Sequence, residues 1–129
     1  MENRIETRGF FYVNPTMTGD TGLVGLKQQD YEKFMAYGML DQEVLVKLTK
    51  ANTGSEYPDG APEYKARAGI YTITMDGTTA KPQIDLSSND VSRMRERGFR
   101  DLDEVLVEVE QLPYKTPHKP DYGDLKIEV

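Results

Sequence analysis

Two stretches of the chain place apolar side chains at every second position. In Glu43–Leu48 the alternation puts Val44, Val46 and Leu48 on one face, and in Glu104–Val109 it does the same for Val105, Val107 and Val109. Side chains of a β-strand point alternately to its two faces, so each stretch predicts a strand with one buried face.

Before each of these strands, the apolar residues recur at the spacing of a helix. Tyr31, Phe34 and Met35 are spaced as one apolar stripe of a short helix, and Val91 and Met94 repeat that spacing. The second helix is preceded by Ser87-Ser88-Asn89-Asp90, which is typical of a capping box. Gly38 and Gly98 follow the stripes and predict helix ends with positive φ, a conformation that glycine adopts at little steric cost.

The remaining elements also occur twice, in the same order. Strand-forming runs lie at Phe10–Val13 and Ile70–Ile73, loops rich in Thr, Gly and Asp follow, and second short strands end at Leu26 and Leu86. An offset of 60 residues aligns the halves from Gly9/Gly69 to Gln42/Leu102, and an offset of 61 aligns them beyond that point. The identities are Gly9/Gly69, Thr18/Thr78, Leu26/Leu86, Asp30/Asp90, Gly38/Gly98, Asp41/Asp101, Glu43/Glu104, Val44/Val105, Leu45/Leu106 and Val46/Val107.

Apolar pairs such as Phe10/Ile70 and Phe11/Tyr71 occupy aligned positions where the pattern predicts burial. We therefore predict that residues 9–48 and 69–109 are two copies of one unit with the order strand, loop, strand, helix, strand. Residues 1–129 are predicted to form a single domain, in which 110–129 is a C-terminal extension outside both copies.

A β-loop-β-α-β unit that occurs twice resembles the double-psi β-barrels, a branch of the cradle-loop barrels. The resemblance is carried by Leu26…Tyr31…Phe34…Gly38-Met39-Leu40-Asp41-Gln42-Glu43-Val44-Leu45-Val46 and by the corresponding stretch from Leu86 to Val107. It implies a mainly β fold with two short helices, in which the duplicated unit builds a six-stranded barrel with pseudo-twofold symmetry. It implies little about activity.

The segment 36–46 is most similar to the aspartate decarboxylases of this superfamily, which self-process at a Gly-Ser bond. The matching position here is Gly22-Leu23, which has no hydroxyl, so that activity is not expected. The metal-binding aspartate cluster of the RNA polymerase barrels is also missing.

Composition narrows the functional classes further. The chain has 129 residues, 37% of them hydrophobic and 29% charged, as in an ordinary soluble domain. It contains no cysteine, which excludes disulfides, thiolate zinc sites and a cysteine nucleophile. The N-terminus has no apolar stretch that is typical of a signal peptide, so a cytoplasmic location is expected.

The titratable side chains do not form a recognisable catalytic motif. His118 is the single histidine, which is too little for a zinc site or for a Ser–His pair. The repeated carboxylates Asp30/Asp90, Asp41/Asp101 and Glu43/Glu104 fall at helix starts and in turns, where structural roles explain them. We expect no enzymatic activity, no metal and no cofactor.

Two surfaces remain as candidates for binding. Aromatic and apolar residues crowd the end of the first helix, and Tyr37, Met39 and Leu40 predict an exposed patch for another protein chain or for a second copy of this one. The alternative is single-stranded nucleic acid bound by the basic residues Arg93, Arg95, Arg97, Arg100, Arg67 and Lys65. A net charge of −6 opposes long-range attraction to phosphates and favours the protein partner.

Overall fold

The computed structural model describes residues 4–51, 61–74 and 80–112. Within these residues the elements are β1 (Arg4–Asn14), β2 (Thr21–Gly25), α1 (Asp30–Ala36), β3 (Gln42–Lys50), β4 (Glu63–Thr74), β5 (Ala80–Leu86), α2 (Ser88–Glu96) and β6 (Glu104–Gln111). The strands form a closed barrel in the order β1-β2-β5-β4-β3-β6, and each neighbouring pair is antiparallel. The predicted mainly β barrel with two short helices is therefore confirmed.

The alternation of side chains along the strands determines the core. The inward faces of β3 and β6 are buried as predicted, with Val44, Val105 and Val109 fully inaccessible to solvent. Phe11 on β1 is also fully buried, and its ring meets the edge of Phe99 at a centroid distance of 6.4 Å. Burying apolar side chains of this size stabilises a fold by about 1.5–3 kcal/mol each, so this interior is the main source of stability.

Both helices end in the predicted way. Gly38 has φ of 67° and Gly98 has φ of 105°, so both glycines adopt the positive φ that the sequence predicts. The N–H of Met39 donates to the carbonyl of Phe34 at 2.9 Å, and the N–H of Phe99 donates to that of Met94 at 3.0 Å. These bonds form Schellman motifs, in which the apolar residue after the glycine packs back onto the last helical turn.

The two helices begin differently. Ser87 and Asp90 form the predicted capping box, in which the Asp90 N–H donates to the Ser87 hydroxyl at 3.2 Å. The start of α1 has no such hydroxyl, and the buried Asp30 accepts from the Lys27 N–H at 3.3 Å instead. A second bond to Asp30, at 2.7 Å, comes from the hydroxyl of Thr7 on β1 and fixes the helix to the barrel.

Strand pairing is unchanged when the two halves of the barrel are exchanged. Replacing β1 by β4, β2 by β5 and β3 by β6 reproduces the same six ladders. Two ladders pair a residue with its own counterpart, since Val24 lies opposite Ile84 and Lys47 lies opposite Glu108. The pairing therefore has the pattern of a pseudo-twofold arrangement, while the double-psi assignment stays a prediction.

The ladders also correct the sequence alignment. Phe10 pairs with Gly25 in the first half, whereas Gly69 pairs with Asp85 in the second. Gly25 and Asp85 are counterparts at an offset of 60. Their partners Phe10 and Gly69 must therefore be counterparts too, so the first strands of the two halves, β1 and β4, align at an offset of 59 rather than 60. Matching Gly9 to Gly69 is wrong in this strand, because a slip of one residue exchanges the inward and outward faces. Phe10 points outward as a result, contrary to the burial predicted for it.

The turn before the last strand of each half gives a second correction. Asp41 and Leu102 both have positive φ, of 60° and 73°. Their N–H groups bind equivalent carbonyls on the first strands, that of Ile70 at 2.6 Å and that of Phe11 at 2.7 Å. Asp41 therefore corresponds to Leu102, and Asp101 is the additional residue of the second half.

Several sequence interpretations fall outside the described residues. These are the roles of His118 and of residues 113–129. Neither α1 nor α2, the helices of the described ranges, has the length and hydropathy that a membrane crossing requires.

Candidate binding grooves

The predicted patch at the end of α1 is only partly exposed. Tyr37 exposes 40% of its surface, whereas Met39 is fully buried and Leu40 is packed against the core. Including Met39 in the patch was wrong, because the Schellman turn directs the side chain after Gly38 inward. Met35, in the last turn of α1, is also exposed.

The predicted basic surface is divided among several local contacts. The Arg95 guanidinium forms an ion pair with Asp20 at 2.8 Å, and the Arg97 guanidinium donates to the carbonyl of Glu63 at 2.8 Å. Arg97 also lies over the ring of Tyr64, at 5.3 Å from its centroid. Arg67 is paired with Glu43 at 3.3 Å on another part of the barrel.

Arg93 contributes to the electrostatic environment of the Tyr64 hydroxyl. For Lys65 and Arg100, no ion pair occurs within the described ranges. Lys65 and Arg67 lie together in a separate groove, where Arg4 and Lys47 both pair with Glu108. Arg93 and Arg97 therefore meet at Tyr64, whereas Lys65 and Arg67 line a separate groove.

A different surface combines exposed aromatic rings with two lysines that have no ion-pair partner among the described residues. We call it the basic groove: an open depression of about 550 Å³ on the outer face of β1, β2 and β5. Phe10 exposes 47% and Tyr12 37% of its surface along one side of it. The Tyr12 ring lies over Gly25, where an added Cβ would approach the ring to 3.2 Å. Because Gly25 has no side chain, it leaves room for the Tyr12 ring.

Three cations and one carboxylate border the basic groove. Arg8 lies 3.6 Å from Glu104, so these two charges partly neutralise each other. Lys27 and Lys81 are exposed, and neither forms an ion pair with any residue that the structure describes. Both lysines line the same groove as the two aromatic rings.

A second groove has the opposite charge. We call it the acidic groove: a depression of about 280 Å³ bordered by Glu43, Asp85 and Asp90, with Arg67 as its single cation. Asp90 accepts a bond of 2.5 Å from the Tyr64 hydroxyl. Burial of Tyr64, followed by the hydrogen bond and the negative charge of Asp90, raises the pKa of Tyr64 to about 12.

The two grooves are lined by corresponding positions of the two halves. Eight positions correspond, and in each pair the residue of the basic groove comes first. The pairs are Arg8/Arg67, Gly9/Ala68, Phe10/Gly69, Gly25/Asp85, Leu26/Leu86, Lys27/Ser87, Lys81/Thr21 and Glu104/Glu43. The same surface thus occurs twice on the barrel, once with a basic and once with an acidic border.

Two carboxylates outside the grooves have structural partners. Asp30 binds Thr7 and Lys27, and Asp103 forms an ion pair of 3.3 Å with Lys50. Within the described residues, no three acidic or histidine side chains converge closely enough to hold a metal ion. No protein-family model, curated protein or solved structure matches this chain.

Proposed function

We propose that this protein is a non-catalytic binding or assembly module that engages another protein chain through the basic groove. The observation that carries the proposal is the exposure of Phe10 and Tyr12 next to Lys27 and Lys81, which have no ion-pair partner among the described residues. Each aromatic ring offers a large apolar area for burial at an interface, and such side chains often dominate binding energy.

The charges of the groove specify the kind of chain that fits it. Lys27 and Lys81 favour an acidic segment, and charge complementarity contributes specificity and association rate more than affinity. The protein carries a net charge of −6, so the groove is a local positive region on an acidic molecule. Salt screens charges that are farther apart than a Debye length of about 8 Å. A short acidic segment in the groove therefore experiences the nearby lysines more strongly than the net negative charge of the whole molecule.

A second candidate is single-stranded nucleic acid bound at the same groove. The observation that favours it is the same combination of Phe10 and Tyr12 with nearby cations, because bases stack on aromatic rings while phosphates contact Lys and Arg. This site replaces the Arg93–Arg100 segment as the stronger location for that function, since Arg95 and Arg97 have intramolecular partners. The overall negative charge still favours the protein partner.

We also propose that the barrel arose by duplication of one unit and has the double-psi architecture. The exchangeable strand order and the opposition of Val24 to Ile84 support the duplication. Duplication explains why one chain carries the same groove twice, and divergence explains the opposite charges.

Fluorescence anisotropy with defined probes tests the groove. The probes are a labelled peptide of alternating Asp and Phe, a matched peptide of alternating Lys and Phe, and labelled oligo(dT). We expect saturable binding of the acidic peptide, with a loss of affinity of about tenfold in Lys81→Glu, since a reversed interfacial charge costs about 1.4 kcal/mol.

Lys65→Glu provides the matched control for this experiment, because Lys65 is also an exposed, outward-facing strand lysine without an ion pair in the described residues. It should leave binding unchanged. Preference for oligo(dT) with a steep salt dependence would favour the second candidate. Equal binding of both peptides, unaffected by Lys81→Glu, would refute the groove as the site.

A further inference from the structure

A segment with the chemistry that suits the basic groove occurs in this chain itself. Residues 121–129, which we call the acidic tail, carry three negative charges against one positive charge. The negative residues are Asp121, Asp124 and Glu128, and the apolar ones are Tyr122, Leu125, Ile127 and Val129. The tail thus interleaves carboxylates with apolar side chains, which complement a groove that presents two lysines beside two exposed aromatic rings.

The acidic tail is within reach of the basic groove of its own molecule. Arg8, the first residue of β1 in the groove, pairs with Leu106, six residues before Leu112, the last described residue. Six residues of a β-strand span about 20 Å. Three of residues 113–120 are proline, and eight residues of a proline-rich chain span about 25 Å. This length is sufficient to bring the start of the tail to the groove.

The acidic groove does not offer the tail an equivalent site. Its border has three carboxylates and one cation, Arg67, which is already paired with Glu43 at 3.3 Å. Like charges would therefore face each other there. Gly69 also takes the place of Phe10 in that groove, so the ring that an apolar side chain would contact is missing. Charge and apolar surface both favour the basic groove, although the two grooves occupy corresponding positions.

A covalent link makes even a weak contact effective. A short linker holds a segment near its site at an effective concentration on the order of 1 mM. A tail that binds with a dissociation constant on the order of 0.1 mM would then occupy about nine-tenths of the grooves. Any other chain must displace the tail, which lowers the apparent affinity for that chain by about tenfold.

We propose that the acidic tail occupies the basic groove of its own chain and controls the access of the protein partner. This inference rests on the proposed function, because it describes the regulation of the same groove. The tail is an intramolecular competitor, and it is released when an acidic partner binds. Competition of this kind favours partners that bind the groove more tightly than the tail does.

A spin label on the tail tests the contact in the full chain. The protein contains no cysteine, so Gly123→Cys provides a single site for the label. The label should broaden the amide NMR signals of Phe10 and Lys81 in the groove. Those of Lys47 and Lys65, on β3 and β4 across the barrel, should stay sharp. Broadening at these two lysines, or none in the groove, would overturn the inference.

A mixing experiment distinguishes the molecule's own tail from that of a second copy. Spin-labelled protein without the isotope is added to unaltered, isotopically labelled protein. We expect no broadening in this mixture, because the tail binds within its own chain. Broadening of the groove signals in the mixture would show that the tail of a second copy is the occupant, and would refute the intramolecular contact.

The competition itself is measured with the labelled Asp–Phe peptide. Asp121→Lys/Asp124→Lys should raise the affinity of the full chain for this peptide by about tenfold, because the reversed tail no longer competes. Glu96→Lys/Glu110→Lys is the matched control, since it changes the net charge equally at two exposed residues that do not line the groove. An equal gain in the control would attribute the effect to net charge and overturn the inference.

Failure of this inference is distinguishable from failure of the proposed function. Equal affinity of the unaltered and tail-reversed proteins, with a loss in Lys81→Glu, would refute the tail and preserve the groove as the binding site. A peptide that binds neither protein would refute the groove as well. The predicted result is a gain from reversal of the tail that Lys81→Glu abolishes.

Discussion

Val24 and Ile84 lie directly opposite each other in the β2–β5 ladder, 60 residues apart, and both side chains are fully buried. Each is the counterpart of the other under exchange of the two halves. The approximate twofold axis that relates the two halves therefore passes between these two residues and through the core. The basic groove lies mainly on one side of this axis and the acidic groove on the other. Differences between the grooves reflect side-chain identity more than strand order.

Leu102 occupies a conformation that disfavours its side chain. Its φ is 73° and it exposes 64% of its surface, so the left-handed strain is opposed by little packing. We expect Leu102→Gly to raise the free energy of unfolding by about 0.5 kcal/mol, because relief of strain exceeds the added chain entropy of glycine. Urea denaturation measures the change. A destabilised variant would show that the Leu102 side chain makes a favourable contact.

Gly98 should respond in the opposite direction. Its φ of 105° is unfavourable for any residue with a Cβ, so Gly98→Ala is expected to lower the free energy of unfolding by about 1 kcal/mol or more. Gly38→Ala should have a similar effect for the same reason. Unchanged denaturation midpoints in both variants would contradict the helix ends described above.

Asp30 links α1 to β1 from a buried position. Asp30→Ala leaves the Thr7 hydroxyl and the Lys27 N–H without this acceptor, and should cost about 2 kcal/mol of stability. Adding Thr7→Val to that variant should cost less than the sum of the two single changes, because the residues share one bond. Glu32→Ala, at an exposed position of α1, is the control and should have little effect. Additive costs would refute the link.

Tyr64 should make stability depend on pH in the alkaline range. Its pKa is raised from 10.0 to about 12, so the folded protein holds the phenolic proton more tightly than the unfolded chain does. This contribution is fully present below pH 10 and is lost as pH rises through about 12. Relative to the unaltered protein, Tyr64→Phe should lose less stability over that range. Identical pH profiles for Tyr64→Phe and the unaltered protein would contradict the assignment.

The sequence contained enough information for the strands and helix ends. The alternation through Val44 and Val105 predicted the buried faces, and the glycines at 38 and 98 predicted positive φ. The burial of Met39 was also readable, because an apolar residue after a helix-terminating glycine commonly packs onto the last turn. It was missed because Met39 was grouped with Tyr37 as part of one surface.

The grooves could not be predicted from the chain order. Phe10, Gly25 and Lys81 come from three separate strands and meet only after the barrel closes. The identity of Gly9 with Gly69 also favoured an alignment that is shifted by one residue in the first strand. That shift assigned Phe10 to the core and removed it from the candidate surface. Strand register, which depends on long-range pairing, supplied the missing information.

Amide NMR spectra of the isotopically labelled protein, recorded as the Asp–Phe peptide is added, locate the surface that binds it. Saturable shifts should appear together at Phe10, Tyr12 and Lys81 in the basic groove and should diminish as salt is added. Spectra that do not change with added peptide, or shifts confined to 93–100, would contradict binding at the basic groove.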